Sequence, residues 1–189
     1  MAEISRSFTF EPLELPGLVL VRPTRRPDPR GFFVETYKSS AFAEAGIPGP
    51  FVQDNMARSA QGVLRGLHYQ LPPAAQGKLV QALRGEIFDV AVDLRRDSPT
   101  FGRWAGYRLT GDGGELLWIP EGFAHGYLVL SETADVAYKV TAEYAPTLDR
   151  GIRWDDPRVG VSWPVEHPTL SVKDRTLPLL SEAENPFTS

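Results

Sequence analysis

The run Ile87-Phe88-Asp89-Val90-Ala91-Val92-Asp93-Leu94 alternates with a period of two residues. Ile87, Asp89, Ala91 and Asp93 fall on one face, and Phe88, Val90, Val92 and Leu94 on the other. Only an extended strand gives side chains that period, so the segment predicts a β-strand buried on one side and more polar on the other. Short β-rich runs recur at residues 18–21, 63–70, 78–83, 104–110, 115–119, 124–130 and 134–141, each bounded by turn residues. That punctuation is the pattern of an all-β sandwich or barrel. Arg84-Gly85-Glu86 predicts one turn. Gly111-Asp112-Gly113-Gly114 predicts a tight hairpin, because glycine reaches positive φ without steric cost. One short helix is expected over residues 40–45, with Ser39 as its N-cap and Gly46 ending it. From Pro146 onward, prolines and Asp155-Asp156-Pro157 predict irregular chain wrapping the barrel, with short helical turns. A jelly roll with short peripheral helices accommodates so many short antiparallel strands.

A chain of 189 residues suits one domain over residues 1–189 with a sizeable core. Its 42% apolar and 23% charged residues match globular proteins. A net charge of -4 gives no general attraction to nucleic acid. Arg22, Arg25, Arg26 and Arg30 are separated by three prolines and read as a solvated loop. With no cysteine there is no disulfide, thiolate metal site or cysteine nucleophile. The first six residues lack the basic-then-apolar order of a secretory signal. No apolar run approaches the ~18 residues of a membrane span. A soluble cytoplasmic protein with no membrane partner is expected.

Three histidines are present: His68, His125 and His167. A metal site from His68, His125 and Glu86 is one reading, but no His-x-His pair shares a strand face, and no metal is expected. His167 reads as a surface residue. His68, in Val63-Leu64-Arg65-Gly66-Leu67-His68-Tyr69-Gln70, places an imidazole amid apolar neighbours. Lys78, Tyr138 and Asp174 supply a cation, a phenol and a carboxylate. If gathered, the four would move a proton beside a carbonyl. Each also has an ordinary structural reading: a hydrogen-bonded core imidazole, a solvent-facing lysine, a strand tyrosine, a turn-capping aspartate.

Taken in order, the motifs resemble a known family. They are Arg30-Gly31-Phe32-Phe33-Val34-Glu35, Gln53-Asp54-Asn55, Gly62 through Gln70, Gly77-Lys78-Leu79-Val80, Phe88 through Arg95 and Ser98-Pro99-Thr100-Phe101-Gly102. Ile119-Pro120-Glu121-Gly122-Phe123-Ala124-His125-Gly126, Tyr138-Lys139, Trp163-Pro164 and Ser171-Val172-Lys173-Asp174 complete the set. The chain resembles the dTDP-4-dehydrorhamnose 3,5-epimerase family over about residues 10–180. The resemblance implies a cupin-type double-stranded β-helix and inversion at C3 and C5 of dTDP-4-keto-6-deoxyglucose through an enolate. It implies His68 as general base, Asp174 as its orienter, Lys78 as the cation for the enolate oxygen and Tyr138 as the acid on the opposite face. Arg65 and His125 would line the sugar and diphosphate site. Arg30, Phe33, Glu35, Gln53 and Asn55 would hold the thymidine diphosphate end. No cofactor is implied, because the substrate's own ketone is the electron sink. A homodimer with an exchanged N-terminal strand is implied, placing Arg30 or Glu35 at the neighbour's site.

One departure stands out. After Gln53-Asp54-Asn55 the family commonly has a His-Ser-like pair, where this chain has Met56-Ala57, so two polar contacts near the nucleotide are expected to be lost. Related enzymes that invert only C3 or only C5, and sugar 3,4-ketoisomerases, are the alternative readings. A metal-dependent cupin oxygenase and a non-catalytic sugar-binding barrel are two more.

Overall fold

The computed structural model describes residues 7–188; residues 1–6, read above for a signal, and Ser189 lie outside them. Two antiparallel sheets face each other as a jelly roll. The first runs β1 (Phe8–Pro12), β2 (Val19–Pro23), β10 (Leu116–Ile119), β7 (Lys78–Arg84), β12 (Thr133–Val140), β5 (Gln53–Ala60). The second runs β13 (Asp149–Gly151), β6 (Leu64–Gln70), β11 (Phe123–Val129), β8 (Glu86–Asp93), β9 (Trp104–Thr110). A separate ribbon pairs β3 (Arg26–Asp28) with β4 (Gly31–Phe33).

The main core lies between the sheets. Leu20, Val80, Leu117, Ile119 and Val136 meet Ile87, Ala91, Leu109, Phe123 and Val129 from the opposite side. Burying each of these side chains contributes roughly 1.5–3 kcal/mol relative to exposure. The outer face of the second sheet is also covered: Leu67, Tyr69, Val90 and Val92 pack under Ile152, Val159, Leu180 and Phe187 of the C-terminal chain. Asp156, 1% exposed, fixes that chain by accepting the backbone N–H groups of Arg158, Val159 and Leu180.

β8 therefore departs from the expected one-sided burial. The face carrying Asp89 and Asp93 points inward, and both carboxylates are fully buried. Each is paired: Asp89 with His125, and Asp93 with Arg95, Ser98 and Thr100. Burial pushes the Asp93 carboxyl up, but these hydrogen bonds outweigh it and hold it below its ordinary value.

The glycine-rich segment after β9 is not a hairpin. β9 pairs with β8 in the second sheet, while β10 pairs with β7 and β2 in the first. The turn passes between sheets because Ala105 and Leu109 enter the core from one side and Leu117 and Ile119 from the other. β7 and β8 likewise lie in different sheets. Their turn requires Gly85, whose φ is +76° and where a Cβ would stand 2.2 Å from the Thr133 carbonyl oxygen.

α1 (Ser39–Glu44) begins one residue earlier than expected. Lys38, not Ser39, is the N-cap, and no side chain caps the helix. The burial of Phe42 against Phe8, Phe10 and Tyr37 holds it instead. Its end is a Schellman turn, with Gly46 N–H on Ala43 O and Ile47 N–H on Phe42 O. A second helix, α2 (Val172–Arg175), is a single turn near the C-terminus.

Candidate active site

β6 carries His68 at the edge of the barrel interior, directly across from His125 on β11. His68 Nε2 lies 2.5 Å from Asp174 Oδ1. Asp174 sits at the third position of α2, and Ser171 is that helix's N-cap. The Ser171 hydroxyl accepts the Asp174 backbone N–H at 3.1 Å and donates to Asp174 Oδ2 at 2.7 Å. The cap thus aims the carboxylate's other oxygen at the imidazole. Burial alone would raise the Asp174 carboxyl, but the hydrogen bonds from His68 and Ser171, with the nearby charge of Lys173, hold it low. An anionic partner on Nε2 keeps a proton there and leaves Nδ1 bare in the neutral imidazole.

His125 forms a second pair, its Nε2 lying 2.8 Å from Asp89 Oδ1, with both side chains buried. Lys78, at the start of β7, is only 9% exposed and donates to the His68 carbonyl at 3.4 Å. Burial brings its ammonium down to about 8, against the opposing attraction of Asp149 and Asp89. Tyr138 stands on β12 in the facing sheet, between Asn55 and Val80 of the adjacent strands. Burial raises its phenol and the Arg65 guanidinium lowers it.

His68, Lys78 and Tyr138 are common walls of two adjoining cavities. One, about 440 Å³, also holds Arg65, His125, Tyr127 and Asp174. The other, about 320 Å³, holds Gln53, Asn55, Tyr144 and Asp149. The four catalytic candidates therefore converge, along with Arg65, His125, Gln53 and Asn55. A base and an acid on facing sheets, with an amine on the same cavity wall as the acid, can take a proton from one side of a ring and return one to the other.

Arg30, Phe33 and Glu35 line neither cavity. The β3–β4 ribbon pairs only with itself. Arg30 is 89% exposed on its side chain and bound to its own neighbour Asp28 at 2.6 Å, and Phe33 is 61% exposed. Of the Met56-Ala57 pair, alternation along β5 turns Met56 outward, where it is 67% exposed, and places only Ala57 on a cavity wall. His167 is exposed, and Glu86 turns to Arg108 instead of the imidazoles. Among the described residues no three His, Asp or Glu side chains cluster in a metal-holding arrangement.

Several residues at the site go beyond the sequence reading. Ser171 was signalled by the Ser-x-x-Asp capping pattern, and Asp89 by its place on the face of Ile87 and Ala91. Asp149 accepts from both Lys173 and Tyr144 at the cavity mouth. No local pattern announces that contact, which joins α2 to β13.

The family profile described as dTDP-4-dehydrorhamnose 3,5-epimerase matches residues 12–182. A dTDP-4-dehydrorhamnose 3,5-epimerase of Pseudomonas aeruginosa is 53% identical over 174 residues, covering 91% of this chain and 96% of that protein. A dTDP-4-dehydrorhamnose 3-epimerase of Streptomyces niveus is 39% identical, covering 93% of this chain and 86% of that protein. The crystal structure of dTDP-6-deoxy-D-glucose-3,5-epimerase from Legionella pneumophila, in complex with dTDP-4-keto-L-rhamnose, superposes with a TM-score of 0.92 at 44% identity. It covers 96% of this chain and 99% of that one.

The buried Lys78 sets a testable opposition between activity and stability. Its folded pKa of about 8 lies below the ordinary 10.5. Between those values the unfolded chain holds a proton that the folded protein has released, so stability rises with pH across that window. Below it both states are protonated and the burial penalty, about 3 kcal/mol, acts in full. Lys78→Met is expected to be more stable than wild type at pH 7 in urea titrations, by up to that amount, and to lack the alkaline rise. The same variant should lose about 100-fold or more in turnover. Equal stability curves for the two proteins would contradict the assignment.

Proposed function

This chain belongs to the dTDP-4-dehydrorhamnose 3,5-epimerase family, and we propose that it inverts C3 and C5 of dTDP-4-keto-6-deoxyglucose through an enolate to give dTDP-4-keto-L-rhamnose. The observation that supports the residue assignments is that the Asp174–His68 pair shares one cavity with Tyr138 and Lys78, which stand on adjacent strands of the facing sheet.

The C4 ketone makes the hydrogens on C3 and C5 acidic. His68 Nδ1 takes one of them as a proton, and the C–H electrons move into the ring, placing charge on the C4 oxygen. Asp174 steadies the imidazolium that forms. Lys78, as its ammonium, stabilises the oxyanion in a site shielded from water, where such a donor is worth about 2.7–4 kcal/mol of barrier. Tyr138 then delivers a proton to the opposite face of the carbon, and the carbonyl re-forms. Repetition at the second carbon completes the double inversion. The ketone takes up and returns the electrons, so the balance calls for no redox carrier.

Arg65 suits the diphosphate through planar, multidentate hydrogen bonding, and Gln53 and Asn55 suit the nucleoside end. The ribbon bearing Arg30 and Phe33, with Glu35 just after it, is assigned to the same end of a neighbouring copy's site, in a homodimer. Exposure of Phe32, Phe33, Met56 and Leu83 supports that assembly. No helix among the described residues is long and apolar enough to cross a membrane. A charged, nucleotide-linked substrate that does not cross membranes fits action in the cytoplasm.

Incubation with dTDP-4-keto-6-deoxyglucose in heavy water tests the reaction. NMR is expected to show deuterium at both C3 and C5 of the product. Deuterium at one carbon alone would make the enzyme a single-site epimerase, and a ketone moved to C3 would make it a ketoisomerase. His68→Ala should lose at least ~100-fold in turnover; unchanged turnover would remove His68 as the base. Sedimentation equilibrium is expected to give twice the 20.9 kDa chain mass, and a monomer at micromolar concentration would contradict the shared site.

A further inference from the structure

Three arginines of the barrel are held by carboxylates: Arg58 by Asp135 at 2.6 Å, Arg95 by Asp93 at 2.8 Å and Arg108 by Glu86 at 2.6 Å. Arg65, on the wall of the larger cavity, is held differently. Its Nε donates to the Ser59 hydroxyl at 3.0 Å, and among the described residues neither Nη group has a partner. A carboxylate fixes a guanidinium and cancels its charge together. A hydroxyl fixes it and leaves the charge whole, which is what an arginine awaiting an anion requires.

The acceptor is itself firmly placed. Ser59 lies on β5 in the first sheet, opposite Ala134 of β12, and is 7% exposed. Arg65 lies on β6 in the second sheet, opposite Tyr127 of β11. The three residues that cross between the sheets are pinned by backbone bonds. Gln61 N–H donates to Glu132 O, Gly62 N–H to Val129 O, and Val63 O accepts from Val129 N–H. Arg65 itself is exposed, and a long exposed side chain loses rotamer freedom when it is ordered on binding. The bond to Ser59 restricts that freedom before substrate arrives. It also commits the Nε edge of the planar fork, so the edge formed by the two Nη groups is left to donate in parallel to two oxygens of an anion.

We propose that Ser59 is a positioning residue for substrate binding, its hydroxyl holding Arg65 so that the free edge of the guanidinium, with its charge uncancelled, meets the diphosphate. The inference rests on the reading of Arg65 as a diphosphate ligand. No proton moves in this contact, so its effect falls on binding and leaves the chemical step alone.

Calorimetric titration with dTDP and steady-state kinetics with dTDP-4-keto-6-deoxyglucose test this in the full-length enzyme. Ser59→Ala is expected to weaken dTDP binding about fivefold or more and to raise KM similarly, with kcat within about twofold of wild type. Arg65→Ala should weaken dTDP further. The Ser59→Ala/Arg65→Ala double variant should bind within about twofold of Arg65→Ala alone, because a residue acting through Arg65 has nothing left to hold. Unchanged dTDP affinity in Ser59→Ala overturns the inference. So does a fall in kcat at constant KM, which would place the hydroxyl in the chemical step. An equal loss from Ser59→Ala with and without Arg65 would show packing support only. If Arg65→Ala binds dTDP as wild type does, the diphosphate reading fails first and this inference falls with it.

Discussion

The hydrogen bond between His68 Nε2 and Asp174 Oδ1 spans 106 residues of sequence, and most of the architecture bears on making it. His68 is fixed by β6, flanked by β11 and β13. Asp174 has no strand to hold it. It rides on one helical turn, capped by Ser171 and carried by the C-terminal chain that covers the second sheet. Asp156 anchors that chain through three backbone amides, so the wrapping segment serves the site as well as the core. Without the carboxylate, nothing among the described side chains would choose between the two imidazole nitrogens.

Buried charge inside the barrel falls into two kinds. Asp93 is met by Arg95, Ser98 and Thr100, and its carboxyl is held low. Lys78 is buried with one long hydrogen bond to a backbone carbonyl, and its ammonium is weakened. The first arrangement costs little stability, because every desolvated oxygen has a partner. The second retains unused donors, which is what an oxyanion formed during reaction requires. A site that stabilises charge only in turnover must hold a group left unsatisfied at rest.

The strands richest in apolar residues were legible because their pattern is local: residues 104–110 match β9, and the other runs agree to within a residue or two, whereas β1, β3, β4, β5 and β13, short or largely polar, gave no such run. Connections were less so. Two consecutive strands around glycines read as a hairpin, yet β9 and β10 belong to different sheets, a choice made by which side of the core each strand's apolar face enters. The same nonlocality hid the fate of β8, whose polar face looks solvent-bound until His125 and Arg95 arrive to pair with it. At the site, His68, Lys78, Tyr138 and Asp174 were found through resemblance to a family, since no spacing reveals that four separate segments meet. Arg30, Phe33 and Glu35 do not join them within one chain, because the ribbon that holds Arg30 and Phe33, and that Glu35 follows, pairs with no other strand.

The tautomer of His68 in the free protein is the most direct measure of the arrangement on which everything else rests. Nitrogen-15 NMR of histidine-labelled enzyme, assigned with a His68→Ala variant, reads which ring nitrogen carries the proton when the imidazole is neutral. The account requires the proton on Nε2, beside Asp174, with Nδ1 bare, and loss of that preference in Asp174→Ala. A proton on Nδ1 in the wild-type protein, or a tautomer indifferent to Asp174, would contradict it.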